Sequence, residues 1–483
     1  MLFNSLEYAT FFLVVFVLYW ATVRYARVAL GLLLGASLLF YACWNPRYLI
    51  LIVASTLVDF TVGGALARTR SSPRRRALLL ASVIYNLGVL ATFKYFDFFM
   101  GSAGELVRWL GAEQLFTVGD RSLIDLHLGT LLPVGISFFT FQSMSYTIDI
   151  YRRQLEPVRS YPQYLLYVSF FPQLVAGPIV RARDLLPQLA QRPPLTDAMG
   201  GRGLFLIALG LVKKVVIADF LALNLVDRTF AFTGQYSSFE MLAGIYGYAL
   251  QIYCDFSGYS DIAIGSALLL GFRFPDNFNA PYKALNLQDF WRRWHISLST
   301  WLRDYLYVAL GGNRGGSWRT YRNLLLTMLL GGLWHGAGWN FVIWGALHGV
   351  ALAVLRAFQR RREASGRAPG PRGPAGKLLA GIFTFNYVCF AWIFFRANDL
   401  TGAWEVLQKL GELTFSTHHL TAPVVCVMLF ATITHLWPRA WFDRQVEAFG
   451  RLPAWLQAGA VVGTGLCIGQ LASVDVPFIY FQF

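Results

Sequence analysis

The feature that most constrains this chain is a succession of apolar runs, at about 8–23, 28–44, 47–66, 77–99, 126–148, 161–180, 203–223, 240–270, 321–337, 339–358, 376–396, 421–437 and 453–471. Most approach the roughly 20 residues a helix needs to cross a bilayer. Lipid leaves backbone polar groups no partner outside the segment, so such runs predict helices. Charged residues make up 14% of the chain, against about 25% in soluble domains. A soluble enzyme, a disordered chain and a secreted disulfide scaffold are excluded. The expected fold class is all-α, a polytopic integral membrane protein with roughly ten to twelve spans or re-entrant segments.

The formal net charge is +15. In a soluble chain that would suggest nucleic acid as a partner. Here the basic residues sit in short segments between apolar runs, so the positive-inside rule accounts for them and no nucleic acid is expected. Arg24 and Arg27, then Arg68, Arg70, Arg74, Arg75 and Arg76, and the Pro/Gly-rich basic segment 359–377 belong in the cytoplasm, with the N-terminus outside. Residues 8–23 are expected to be a first span and not a removed signal peptide. The mixed-charge loop 100–125 suits the outer face. The run 161–180 holds Pro172, Gly177 and Pro178 between basic flanks, which suggests a segment that dips in and returns. The five cysteines show no paired spacing, so neither a metal nor disulfides are indicated. The expected organisation is N-terminal helices over 1–125, a core over 126–358, a basic cytoplasmic loop over 359–377 and C-terminal helices over 378–483.

Asn286 to Leu310 reads as one amphipathic helix. Asn286 is its N-cap, and Trp291, Trp294, His295, Leu298, Trp301, Leu302 and Tyr305 form one stripe. Arg292, Arg293 and Arg303 lie off that stripe, so the helix should lie along the cytoplasmic interface. His295 falls on the buried stripe, where a core histidine satisfied by a carbonyl is the plainer reading. Four glycines interrupt the run around Trp334-His335. An ionisable histidine at such a break is a functional candidate, and tight small-residue packing is the alternative. On one continuous helix His348 would face away from His335, so a shared site requires a bend near Gly336–Gly338. Asp255 and Asp261 inside an apolar run either face a cavity or serve as structural hydrogen-bonding groups. Lys213 and Lys214 read as snorkelling to an interface.

Several of these stretches together resemble the membrane-bound O-acyltransferase family, in its alginate O-acetyltransferase branch. They are Cys254-Asp255-Phe256-Ser257-Gly258-Tyr259-Ser260-Asp261, Phe290-Trp291-Arg292-Arg293-Trp294-His295, Trp301-Leu302-Arg303-Asp304-Tyr305, Leu310-Gly311-Gly312-Asn313-Arg314 and Gly331-Gly332-Leu333-Trp334-His335-Gly336. Pro133–Phe138 and the segment 477–483 are similar to that branch as well. The resemblance implies a helical acyltransferase core with interfacial cytoplasmic helices, in a multi-pass protein of a bacterial inner membrane. It implies acetyl transfer from a cytoplasmic acyl thioester, such as acetyl-CoA, toward an extracytoplasmic polysaccharide. Acetyl-accepting periplasmic proteins would be partners, with membrane lipid around the core and no tightly bound cofactor. The family's histidine maps to His335 and its second active-site position to His295. Trp334 and Asn313 could supply oxyanion donors, and Arg303 and Arg314 could bind donor phosphates. His348, Asp255 and Asp261 are supporting candidates. D-alanyl transfer to a teichoic acid and a non-enzymatic acyl or lipid transporter are the competing readings.

Overall fold

The computed structural model describes the chain except residues 113–116, 119–120, 123–126, 130–131, 175–176, 192–193, 367–372, 472–475, 477 and 480–483. Most of the loop 100–125 beyond Gly111, Arg367 and Arg372 of the basic segment, and much of the 477–483 motif therefore lie outside the described residues.

The first nine helices are α1 (Leu6–Thr22), α2 (Ala26–Ala42), α3 (Leu49–Arg68), α4 (Ser72–Leu90), α5 (Phe96–Trp109), α6 (Ile136–Tyr151), α7 (Tyr161–Ser169), α8 (Phe171–Leu174) and α9 (Ala182–Ala190). They are followed by α10 (Asp197–Leu211), α11 (Asp227–Ala231), α12 (Ser238–Leu269), α13 (Leu287–Arg293), α14 (Ile296–Trp301), α15 (Ser317–His335) and α16 (Trp339–Ala364). The last are α17 (Pro374–Arg396), α18 (Leu400–Gly411), α19 (Ala422–Leu436), α20 (Arg439–Gly450) and α21 (Ala454–Leu471). The all-α expectation holds apart from one minimal antiparallel pair, Thr117–Val118 with Arg121–Ser122. Among the described residues, four helical segments are long and apolar enough to cross a membrane, or five if the bent α19–α20 pair is one span. The apolar runs outnumber them because several form helices short of a span: α1 and α2 have 17 residues each, and α7 only nine. Nine residues rise about 14 Å, half a hydrocarbon core.

The chain forms two compact units. The smaller, residues 22–175 and 181–191, is organised around α3, α4 and α6. Asp59 is fully buried there and accepts from Ser82 Oγ at 2.5 Å and Asn86 Nδ2 at 2.9 Å. The Arg75 guanidinium donates to the carbonyls of Leu66 and Thr69 at the end of α3 and of Ile150 and Tyr151 at the end of α6. One cation thus serves the carbonyls left over at two helix C-termini, where positive charge is favoured.

The larger unit holds 1–21, 176–180 and 192–483. Its axis is α12, 32 residues long and opened by a capping box between Ser237 and Glu240. α10 packs on α12 through paired glycines. A methyl on Gly210 would stand 2.6 Å from the Gly258 carbonyl oxygen, and one on Gly265 2.6 Å from that of Gly203. Such close backbone approach needs residues without a side chain.

Two expectations change. The 286–310 helix is not continuous: α13 ends at Arg293, α14 starts at Ile296, and a π turn follows over Leu302–Tyr307. The basic segment 359–377 is not all loop, because α16 continues to Ala364 and α17 begins at Pro374. Arg356 supports that extension, reaching Gln359 at 3.3 Å and Glu363 at 2.9 Å along one face.

Candidate active site

α15 ends at His335, Gly336 and Gly338 are extended, and α16 turns back alongside it. A methyl on Gly332 would collide with the Phe341 carbonyl, and one on Gly345 with the Met328 carbonyl. The glycines therefore serve both proposed purposes: Gly332 and Gly345 allow backbone contact, and Gly336–Gly338 make the bend. The hairpin brings His348 back to His335's neighbourhood, as the bend requires. Both rings lie edge-on to Trp344, with centroids 5.1 Å away for His335 and 4.9 Å for His348. Phe395 of α17 closes on His335 at 5.3 Å. His335 and Trp334 are buried, and His348 is fully buried.

His295 occupies the break between α13 and α14 with φ +41°, a left-handed conformation uncommon outside glycine, to which histidine, asparagine and aspartate are the side-chain-bearing residues best suited. The backbone groups freed there are taken by residues 277–279. Asn279 N–H donates to Arg293 O at 2.9 Å and Ile296 N–H to Asn277 O at 2.9 Å. The Asn277 side chain locks the corner. Its Oδ1 accepts from Ser297 N at 3.3 Å and Ser297 Oγ at 2.9 Å, and lies 3.1 Å from His295 Nδ1. An oxygen acceptor at that distance assigns the proton to Nδ1 and the lone pair to Nε2. Complete burial lowers the pKa of His295 to about 3, so the ring is neutral at physiological pH. His295 and His335 meet the same indole: Trp334 lies 6.1 Å from one ring and 5.0 Å from the other.

A cleft of about 770 Å³ runs beside this cluster. Arg292, Arg303 and Arg356 line it, with Leu302, Met328 and Leu355 as apolar wall. Trp291 forms part of that wall and donates its Nε1–H to His348 Nδ1 at 3.3 Å. The cleft is thus one indole away from His348, and His348 one indole away from His335. Asn313 lines the cleft but is exposed and accepts from Tyr307 Oη at 2.5 Å. Arg303 is paired with Asp304 at 2.6 Å, and Arg314 lies in the exposed loop after it.

Asp255 and Asp261 are ion-paired to lysines. Lys214 Nζ lies 2.8 Å from Asp255 and 2.6 Å from Asp219, and Lys213 Nζ 2.7 Å from Asp261. Asp255 also accepts from the Ile479 backbone N–H at 2.8 Å. The snorkelling reading of both lysines is corrected: their partners are Asp255 and Asp261 of α12 and Asp219 of the π turn 212–219. Asn277 and Trp344 escaped the sequence reading. Asn277 lies 18 residues before its partner histidine, with no periodic signal to connect them.

The larger unit thus folds two broken helices onto one buried histidine cluster beside a basic cleft. Residues 131–397 match the membrane-bound O-acyltransferase family, and the chain belongs to that family. It is a multi-pass membrane enzyme that takes an acyl donor. It is 41% identical to the probable alginate O-acetylase AlgI of Azotobacter vinelandii, over 90% of this chain and 84% of the relative. Identity to the probable alginate O-acetylase AlgI of Pseudomonas aeruginosa is 42%, over 87% and 76%. Identity to the peptidoglycan O-acetyltransferase of Helicobacter pylori is 41%, over 78% and 72%.

Proposed function

We propose that the protein is an O-acetyltransferase of a bacterial inner membrane, moving acetyl from a cytoplasmic thioester toward an extracytoplasmic polysaccharide. The observation that carries this reading is the position of His335: buried, at a helix break, and joined through Trp344, His348 and Trp291 to a basic cleft. The donor, acetyl-CoA or an acetylated carrier arm, enters that cleft with its phosphates at Arg292, Arg303 and Arg356. His335 acts as general base. The acceptor oxygen attacks the thioester carbonyl as its proton passes to the imidazole. The carbon–sulfur bond then breaks, and the proton leaves with the thiol. The Trp334 indole N–H is the side-chain donor for the oxyanion; Asn313, out at the surface, fits donor contact instead. His295, kept neutral by burial and held in place by Asn277, orients the cluster. Acetyl-accepting periplasmic proteins relay the group where the polymer does not reach the membrane.

The test is purified protein in vesicles, supplied with acetyl-labelled thioester on the side of the basic cleft and a soluble polyol on the other. Thiol release matched by ester formation is expected. Thioester uptake without thiol release would favour the transporter reading.

A further inference from the structure

A second cavity, about 380 Å³, opens in the larger unit between α10, α12 and the bent α19–α20 pair. Its volume falls in the range of about 300–1,000 Å³ typical of ligand sites. The wall is of two kinds. Phe205 and Leu209 of α10 face Phe430 of α19 and Phe442 of α20. The other part is basic: Arg202, Lys283, Arg293 and Arg439 line it, and Lys213 lies deeper.

These cations are not equally engaged. Lys213 is bound tightly to Asp261, at 2.7 Å, and Arg293 to Asp289, at 2.9 Å. Arg202 and Arg439 share Asp276 at 3.9 and 3.7 Å, and Arg439 also reaches Asp443 at 3.3 Å. Lys283 donates only to the Trp437 carbonyl among its described hydrogen bonds. The basic wall is loosely held and keeps an excess of positive charge.

His435 supplies a separate observation. It lines the same cavity and is 8% exposed. Its Nε2 accepts the Tyr282 N–H at 3.1 Å, which assigns the proton to Nδ1. That Nδ1 is buried and has no hydrogen-bond partner among the described residues. A buried donor is ordinarily satisfied, and an oxygen of a bound molecule would do so here.

We propose that this cavity binds an anionic glycerophospholipid, with its phosphate against Lys283, Arg202 and Arg439, an ester or phosphate oxygen on His435, and an acyl chain between α10 and α19. A basic pocket between membrane helices suits such a headgroup. A free phosphate would leave the apolar wall unused. The site involves no step of the acyl transfer, yet Asn277 lines it while holding His295. A bound lipid thus braces the segment that fixes His295.

The test uses the full chain in nanodiscs of mixed phosphatidylglycerol and phosphatidylcholine, with the lipid retained after mild detergent extraction measured by native mass spectrometry. Retention of phosphatidylglycerol is expected. The double variant Lys283→Gln/Arg439→Gln removes two charge-assisted contacts and should lower it by about a hundredfold, about tenfold for each. Lys283→Arg should preserve it, and His435→Phe should weaken it. Thermal melting of each variant separates lost binding from lost folding, and Lys283→Arg guards against a variant that does not fold. Equal retention of both lipids, no retained lipid, or unchanged retention in a folded double variant would overturn the proposal. So would full displacement by millimolar inorganic phosphate, which would mark an anion site and no lipid site.

Discussion

The larger unit buries polar groups in two regions, and treats them in opposite ways. Between the π turn 212–219 and α12 each of two lysines is answered by a charge or a backbone group: Lys213 by Asp261, and Lys214 by Asp219, Asp255 and the Val476 carbonyl. In the histidine cluster the helices are broken twice, one residue holds a left-handed backbone, and the imidazoles are surrounded mainly by aromatic rings. Buried ion pairs with full partners fix one arrangement, and removing one partner is costly. His295 sits neutral at that left-handed corner, and strain of that kind gathers at functional sites.

The sharpest way to break this comparison is His335→Ala. Acyl transfer should fall by about two to four orders of magnitude, at unchanged protein level and donor binding; near-normal turnover would remove His335 from the chemistry. Lys214→Met attacks the other region and leaves Asp219 and Asp255 buried without their cation. The cost should be about 3–5 kcal/mol of stability, read as a lower melting temperature and less protein in the membrane. A Lys214→Met protein that melts normally would erase the contrast. Asn277→Ala sharpens the comparison from within the histidine region. Removing the amide leaves His295 Nδ1 and the Ser297 N–H and Oγ–H without their shared acceptor, and should lower the rate constant by at least about tenfold with donor affinity retained, at about 1–3 kcal/mol for each unsatisfied buried group. A change in donor affinity alone would make Asn277 part of the cleft. The smallest effect is expected from shortening 367–372 with Arg360, Arg361 and Arg362 kept. Turnover of the inserted protein should be unchanged, and its loss would tie the segment to the site.

What the sequence disclosed depended on range. The apolar runs, the helix break at His335 and the bend that returns His348 are local patterns of glycine and hydrophobic spacing. The stripe from Trp291 to Tyr305 was legible as burial but not as geometry. Its break at His295 carries no glycine or proline, and the groups that satisfy it come from residues 277–279. The Lys213–Asp261 pair was hidden for the same reason, since its members are 48 residues apart. Extension of α16 past 359 was missed because its arginines suggested a solvated linker, although arginine is a good helix former.

The clamp on Lys214 also dictates an order of assembly. Its ammonium donates to the carbonyl of Val476, 262 residues later, and Asp255 takes the amide of Ile479, 224 residues later. Translation proceeds at about 5–20 residues per second, so α10 and α12 wait tens of seconds in the bilayer before these partners leave the ribosome. During that interval Lys214 and Asp255 have Asp219, each other and the face of Tyr259 to offset their charge. Closure around Lys214 is therefore a late event in biogenesis, and the backbone of Val476 and Ile479 acts as its latch.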